Sequence, residues 1–67
     1  MPDDPRADLV ADGLDRVEEA ARFLKTSRSR IYELMEKGEL RFVKFGRSRR
    51  IPHRSLIEFA ARHLSAE

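Results

Sequence analysis

Cysteine and tryptophan are absent from the 67 residues. Without thiols, neither a disulfide framework nor a cysteine-ligated zinc site can hold the fold. Histidine is scarce as well: His53 and His63 stand ten positions apart with no third partner, so neither a metal site nor another cofactor is expected. No apolar run approaches the ~20 residues of a membrane span. The start of the chain is acidic and carries prolines, unlike a signal peptide, and the expected setting is the cytoplasm. The carboxylates are dispersed, with no pair set in apolar sequence to shift a pKa. Ser27, Ser29 and Ser48 lack a neighbouring base. An enzyme is therefore not expected, and the length leaves room for one small domain.

What is present is charge, unevenly placed. Residues 1–19 hold seven acidic and two basic side chains, a net of −5, whereas residues 20–67 hold twelve basic and five acidic ones, a net of +7. The overall +2 conceals this division. A polyanion is the partner that such asymmetry suits.

Residues 1–13 contain two prolines, four aspartates and a glycine, and they read as a disordered acidic arm, with weak docking of Leu9 and Val10 on the domain as the alternative. Residues 14–64 read as the folded domain, and 65–67 as a frayed tail. Asp15-Arg16-Val17-Glu18 fits a capping box opening a first helix. Val17, Ala20, Ala21 and Leu24 then recur at the spacing of a one-faced helix, with Phe23 at the core's edge. Lys25-Thr26-Ser27 breaks the pattern, and Ser27 suits an N-cap. A second helix from Arg28 to Lys37 turns Ile31, Leu34 and Met35 inward, and Gly38 supplies the left-handed stop. Two short helices across a three-residue turn make a helix-turn-helix.

After Glu39 the period changes. Leu40 to Phe45 reads as a strand, Gly46 to Arg49 as a turn, and Arg50-Ile51 as a short return strand closed by Pro52. A last helix from Arg54 to Leu64 presents Leu56, Phe59, Ala60 and Leu64 to the core. The fold class is thus mainly α with a small β-hairpin, a three-helix winged helix-turn-helix.

Two groups of residues point to duplex DNA. The first turn of the second helix displays Ser27, Arg28, Ser29 and Arg30, with Tyr32, Glu33 and Lys37 further along. Hydroxyls and guanidinium groups beside the positive end of the helix dipole suit a phosphate or a guanine edge. Glu33 can accept from a cytosine amino group or pair with Arg30 or Lys37, and the alternative for the whole face is an ordinary solvated surface. From Arg41 to Arg54 there are six basic residues and no acidic one. Lys44, Arg47, Ser48, Arg49 and Arg50 form the proposed wing, with Lys25, Arg41 and Arg54 as further DNA contacts. A basic loop that only aids solubility is the competing reading.

Val17-Glu18-Glu19-Ala20-Ala21, Ser27-Arg28-Ser29, Ile31-Tyr32, Gly38-Glu39-Leu40 and Gly46-Arg47-Ser48-Arg49-Arg50-Ile51-Pro52, in this order, resemble the excisionase-family DNA-binding domain, related to the DNA-binding head of MerR-type regulators. The resemblance spans Asp15 to Leu64. It implies a recognition helix at residues 27–37 in the major groove and a wing at 46–50 on the backbone and minor groove. Lys25 and Thr26 depart from the glycine and aliphatic residue common in such turns.

Such domains serve excision factors, small regulators and heads of longer proteins; the expected role here is an excisionase that binds and bends DNA and directs an integrase toward excision. A small transcriptional regulator is the alternative, and a protein-interaction module using the acidic arm is a second one. Specific affinity would call for a dimer or copies side by side. On sequence alone Arg49 and Arg50 are equivalent backbone contacts, each lowering the salt slope by about one when changed to alanine. Removal of residues 1–13 is expected to leave the fold intact.

Overall fold

The computed structural model describes residues 5–63. A 3-10 helix, Pro5–Val10, leads into strand β1, Leu14–Arg16, and helices α1, Val17–Leu24, and α2, Arg28–Glu36. Strands β2, Val43–Phe45, and β3, Ser48–Pro52, precede helix α3, His53–Arg62. The sheet order is β1-β3-β2, with both pairings antiparallel. The expected winged helix-turn-helix is present, with a third strand that the sequence pattern did not disclose.

That strand displaces the expected cap. Asp15 lies in β1 opposite Ile51, and its carboxylate oxygen is 2.8 Å from His53 Nδ1. Helix α1 begins one step later, where the Arg16 backbone N–H donates to Glu19 Oε1 at 2.7 Å. An arginine side chain has no acceptor, so only this half of a capping box is available. Val17, Ala20 and Ala21 are buried as their spacing predicts. The two alanines let α1 and α2 pack closely.

The turn between these helices is made by a lysine in an unfavourable conformation. Lys25 adopts φ 55° and ψ 50°, and Thr26 N–H donates to Ala21 carbonyl oxygen at 2.8 Å. This is the left-handed helix ending that glycine adopts at least cost. Helix α2 begins as expected, with Arg30 N–H donating to Ser27 Oγ at 3.1 Å. It ends before Gly38, whose φ is 79°. Leu40 N–H then reaches back to the Leu34 carbonyl at 3.2 Å, and Leu40 is 1% exposed.

Burial of Leu40 shortens the first hairpin strand to Val43–Phe45. The return strand is longer than expected, because β3 pairs on both edges. The turn is only Gly46-Arg47, with Gly46 at φ 56°, the arrangement of a two-residue hairpin with glycine first.

The core comprises Val17, Ala20, Ala21, Ile31, Leu34, Met35, Leu40, Ile51 and Leu56. Leu24 and Phe59 pack against it from partly buried positions. Ala60, expected inside, is exposed, since α3 starts at His53 and turns Ser55 and Leu56 inward instead. Phe23 remains 46% exposed and sets its ring edge-on to His53, 4.8 Å between centroids. Leu64 and the 65–67 tail lie outside the described residues.

The acidic arm is also corrected in part; residues 1–4 lie outside the described residues. Pro5–Val10 is helical and packs against α3, and Leu9 is half-buried. His53 N–H donates to the Gly13 carbonyl at 2.9 Å, and Arg54 Nε donates to Asp12 Oδ2 at 3.3 Å. Docking through Leu9 was the lesser of two sequence readings, because the contacts that decide it come from two groups at the distant start of α3.

Two outcomes are expected in thermal unfolding followed by circular dichroism. Lys25→Gly removes the left-handed penalty on a side-chain-bearing residue and raises stability by about 1 kcal/mol. Deleting residues 1–12 removes the Asp12–Arg54 contact and the packing of Leu9, lowering stability by about 1–2 kcal/mol. An unchanged midpoint for the truncated chain would contradict docking of this segment.

Candidate nucleic-acid interface

The register of β3 determines which cations meet. Arg50 stands opposite Arg16 on one side and Val43 on the other. The start of α1 is therefore held beside the hairpin, and the first turn of α2 faces both. Between them lies a groove of about 360 Å³. Its walls are Arg16, Val17 and Glu18 from the α1 entry, Arg28 and Tyr32 from α2, and residues 47–50 from the hairpin.

Five arginines thus border one depression with a single carboxylate, Glu18. Among the described residues, Arg16, Arg28, Arg47 and Arg50 make no ion pair. Arg49 differs, with Nη1 3.3 Å from Glu36 Oε2 and a side chain only 26% exposed. Its guanidinium carbon lies 4.7 Å from the Phe42 ring centroid and 5.6 Å from that of Tyr32. Arg50 packs near Phe45, 5.9 Å from its ring centroid, and Nη1 donates to the Arg49 carbonyl at 3.3 Å.

The α2 residues divide between two directions. Arg28 points to the groove, whereas Arg30 pairs with Glu33 at 3.1 Å and borders a different hollow with Leu24 and Phe59. Two positions along a helix are about 200° apart, so the pair cannot share one face. Ser27 commits its hydroxyl to the helix cap. Ser29, Tyr32, Glu33, Glu36 and Lys37 line an open hollow of about 480 Å³ on the outward side of α2.

Lys44 is exposed opposite Arg49, and Lys25 is exposed in the interhelical turn. The structure does not bring Arg41 or Arg54 into the groove. Arg41 borders a separate polar hollow with Ser55, Glu58 and Arg62, and Arg54 pairs with Asp12. Arg16 was missed by sequence reasoning, since its place depends on pairing with Arg50, 34 positions later. A basic residue just ahead of a helix start was the available signal, but it lay within the acidic half of the chain. His53 and His63 are engaged by Asp15 and by the Phe59 carbonyl. The described residues contain no cluster of three candidate metal ligands, and no described helix is long and apolar enough to cross a membrane.

Comparison with known proteins agrees with this architecture. The profile of the helix-turn-helix domain family matches residues 16–64. The chain belongs to the helix-turn-helix domain family. This is a family of DNA-binding rather than catalytic domains. A relative from Saccharopolyspora erythraea, described as a "Probable excisionase", is 41% identical over 51 residues. The match covers 76% of this chain and 52% of the relative, so the chain spans about half the relative's length. It is consistent with the excisionase-type resemblance carried by the motifs. No solved structure matches the chain.

Proposed function

We propose that this helix-turn-helix chain binds double-stranded DNA in a sequence-specific manner and serves as an excisionase. In this reading α2 enters the major groove, and Ser29, Glu33 and Lys37 face base edges from its outward side. The 44–50 hairpin follows the adjacent backbone. Arg16, Arg28, Arg47 and Arg50 neutralise phosphates along the shared groove. The observation that carries the reading is the approach of the α2 first turn and the hairpin to one depression lined by five arginines.

Uncompensated guanidinium groups at this density repel one another, and a phosphate backbone removes that penalty while releasing counterions. The hydroxyl, carboxylate and ammonium groups on α2 supply the mixed donors and acceptors that base edges require. The excisionase role adds bending of DNA near an attachment site, which directs an integrase toward excision without cutting by this chain. It is supported by the relative from Saccharopolyspora erythraea. A domain this small covers little DNA, so copies bound side by side, or a dimer, supply the affinity. Soluble cytoplasmic work on the nucleoid fits the same picture.

The phosphate assignment is tested by fluorescence anisotropy on a labelled duplex across a range of salt. Arg16→Ala, Arg47→Ala and Arg50→Ala each lower the slope of log affinity against log salt by about one. Arg41→Ala and Arg54→Ala leave the slope as it is. A slope insensitive to all five changes would contradict the assignment. Footprints flanking an integrase attachment sequence support the excisionase role; protection at a promoter, with altered transcription, replaces it with regulation.

A further inference from the structure

Among the described residues, Arg49 is the one groove arginine whose charge is already answered by an ion pair. It reaches from β3 across to α2, where it meets Glu36 at 3.3 Å and the Tyr32 ring at 5.6 Å. Phe42, from the segment leading into β2, lies 4.7 Å from the same guanidinium. Three groups from two sides of the gap therefore converge on one planar cation. Backbone packing does little of this work: β2 packs mainly on β3, and α2 mainly on α1. Helix and hairpin are each packed on α1, and the gap directly between them is spanned by side chains.

We infer that Arg49 is a positioning residue, a latch that closes on Glu36 and fixes the hairpin against α2 at the spacing a duplex requires. This rests on the reading above, in which helix and hairpin engage the same DNA. A paired cation contributes little to counterion release, so Arg49 acts through the placement of Arg47 and Arg50. Glu36 gains a purpose on the same grounds. A carboxylate on the DNA side of a recognition helix repels phosphate, and its presence there is explained when it holds the hairpin in place.

The latch predicts effects opposite to simple charge counting. If Glu36 acted only by repulsion, Glu36→Ala would tighten duplex binding; as half of the latch, its loss weakens binding about three- to tenfold. If Arg49 were a point charge for phosphate, Arg49→Lys would preserve binding. A lysine lacks the planar fork and stacking surface, so Arg49→Lys loses affinity to a similar degree. The two changes combined cost no more than the larger alone, because each opens the same latch.

These affinities are read on a duplex that the wild-type chain selects from a randomised pool. In parallel, backbone 15N relaxation of the free chains reports the hairpin directly. Residues 44–49 gain nanosecond motion in Glu36→Ala and Arg49→Lys, while amides of α1, α2 and α3 keep their wild-type values. Tighter binding by Glu36→Ala, wild-type binding by Arg49→Lys, or unchanged hairpin relaxation in both would each overturn the latch. A wild-type chain that shows no salt-sensitive duplex binding would instead overturn the DNA-binding reading, and relaxation would still decide whether the latch exists.

Discussion

The double pairing of β3 is the constraint on which the molecule depends. One five-residue strand bonds to β1 along one edge and β2 along the other, and it anchors Ile51, which has no exposed surface, in the core. A register shift of one residue would move Ile51 out of the core and Arg50 away from Arg16. Hydrophobic burial therefore sets the position of the cations. The chain enters the domain beside the hairpin root and leaves β3 directly into α3, so the α1 entry and the hairpin are both referenced to this strand, and α2 is held through α1.

Electrostatics opposes the arrangement that burial enforces. Like charges gathered in one depression are destabilising, and a core of nine residues has little stability to spare. The protein reduces the conflict locally by committing Arg49 to Glu36 and two aromatic rings. Arg30 is paired with Glu33, and Arg54 with Asp12. Among the described residues, the four remaining groove arginines make no ion pair.

Local features of the fold were legible because their causes are local. The Ser27 cap, the Gly38 stop and the inward stripe of Ile31, Leu34 and Met35 follow from chemistry within a few residues, and all are found. The misassigned features depend on distant partners. Asp15 has the place and chemistry of a cap, but His53 takes its carboxylate, and whether residues 5–13 dock is decided by the surface that α3 offers. Leu40 had the β propensity of a strand residue, but core burial took it instead. At the candidate interface, charge density disclosed the hairpin, whereas the inclusion of Arg16 and the diversion of Arg49, Arg41 and Arg54 required tertiary pairing. The positive φ of Lys25 gives a physical reason for the glycine common at that place in the excisionase-type domains the motifs resemble.

We propose that the α1 entry, the first turn of α2 and the hairpin form one surface for one duplex. Titration of 15N-labelled protein with a selected duplex, followed by amide chemical shifts, tests it most directly. The account requires residues 16–18, 28–32 and 47–50 to shift together along a single binding curve, with little change at Glu39, Arg41, Glu58 and Arg62 across the molecule's other polar hollow. Shifts centred on that second hollow, or confined to either α2 or the hairpin alone, would contradict it.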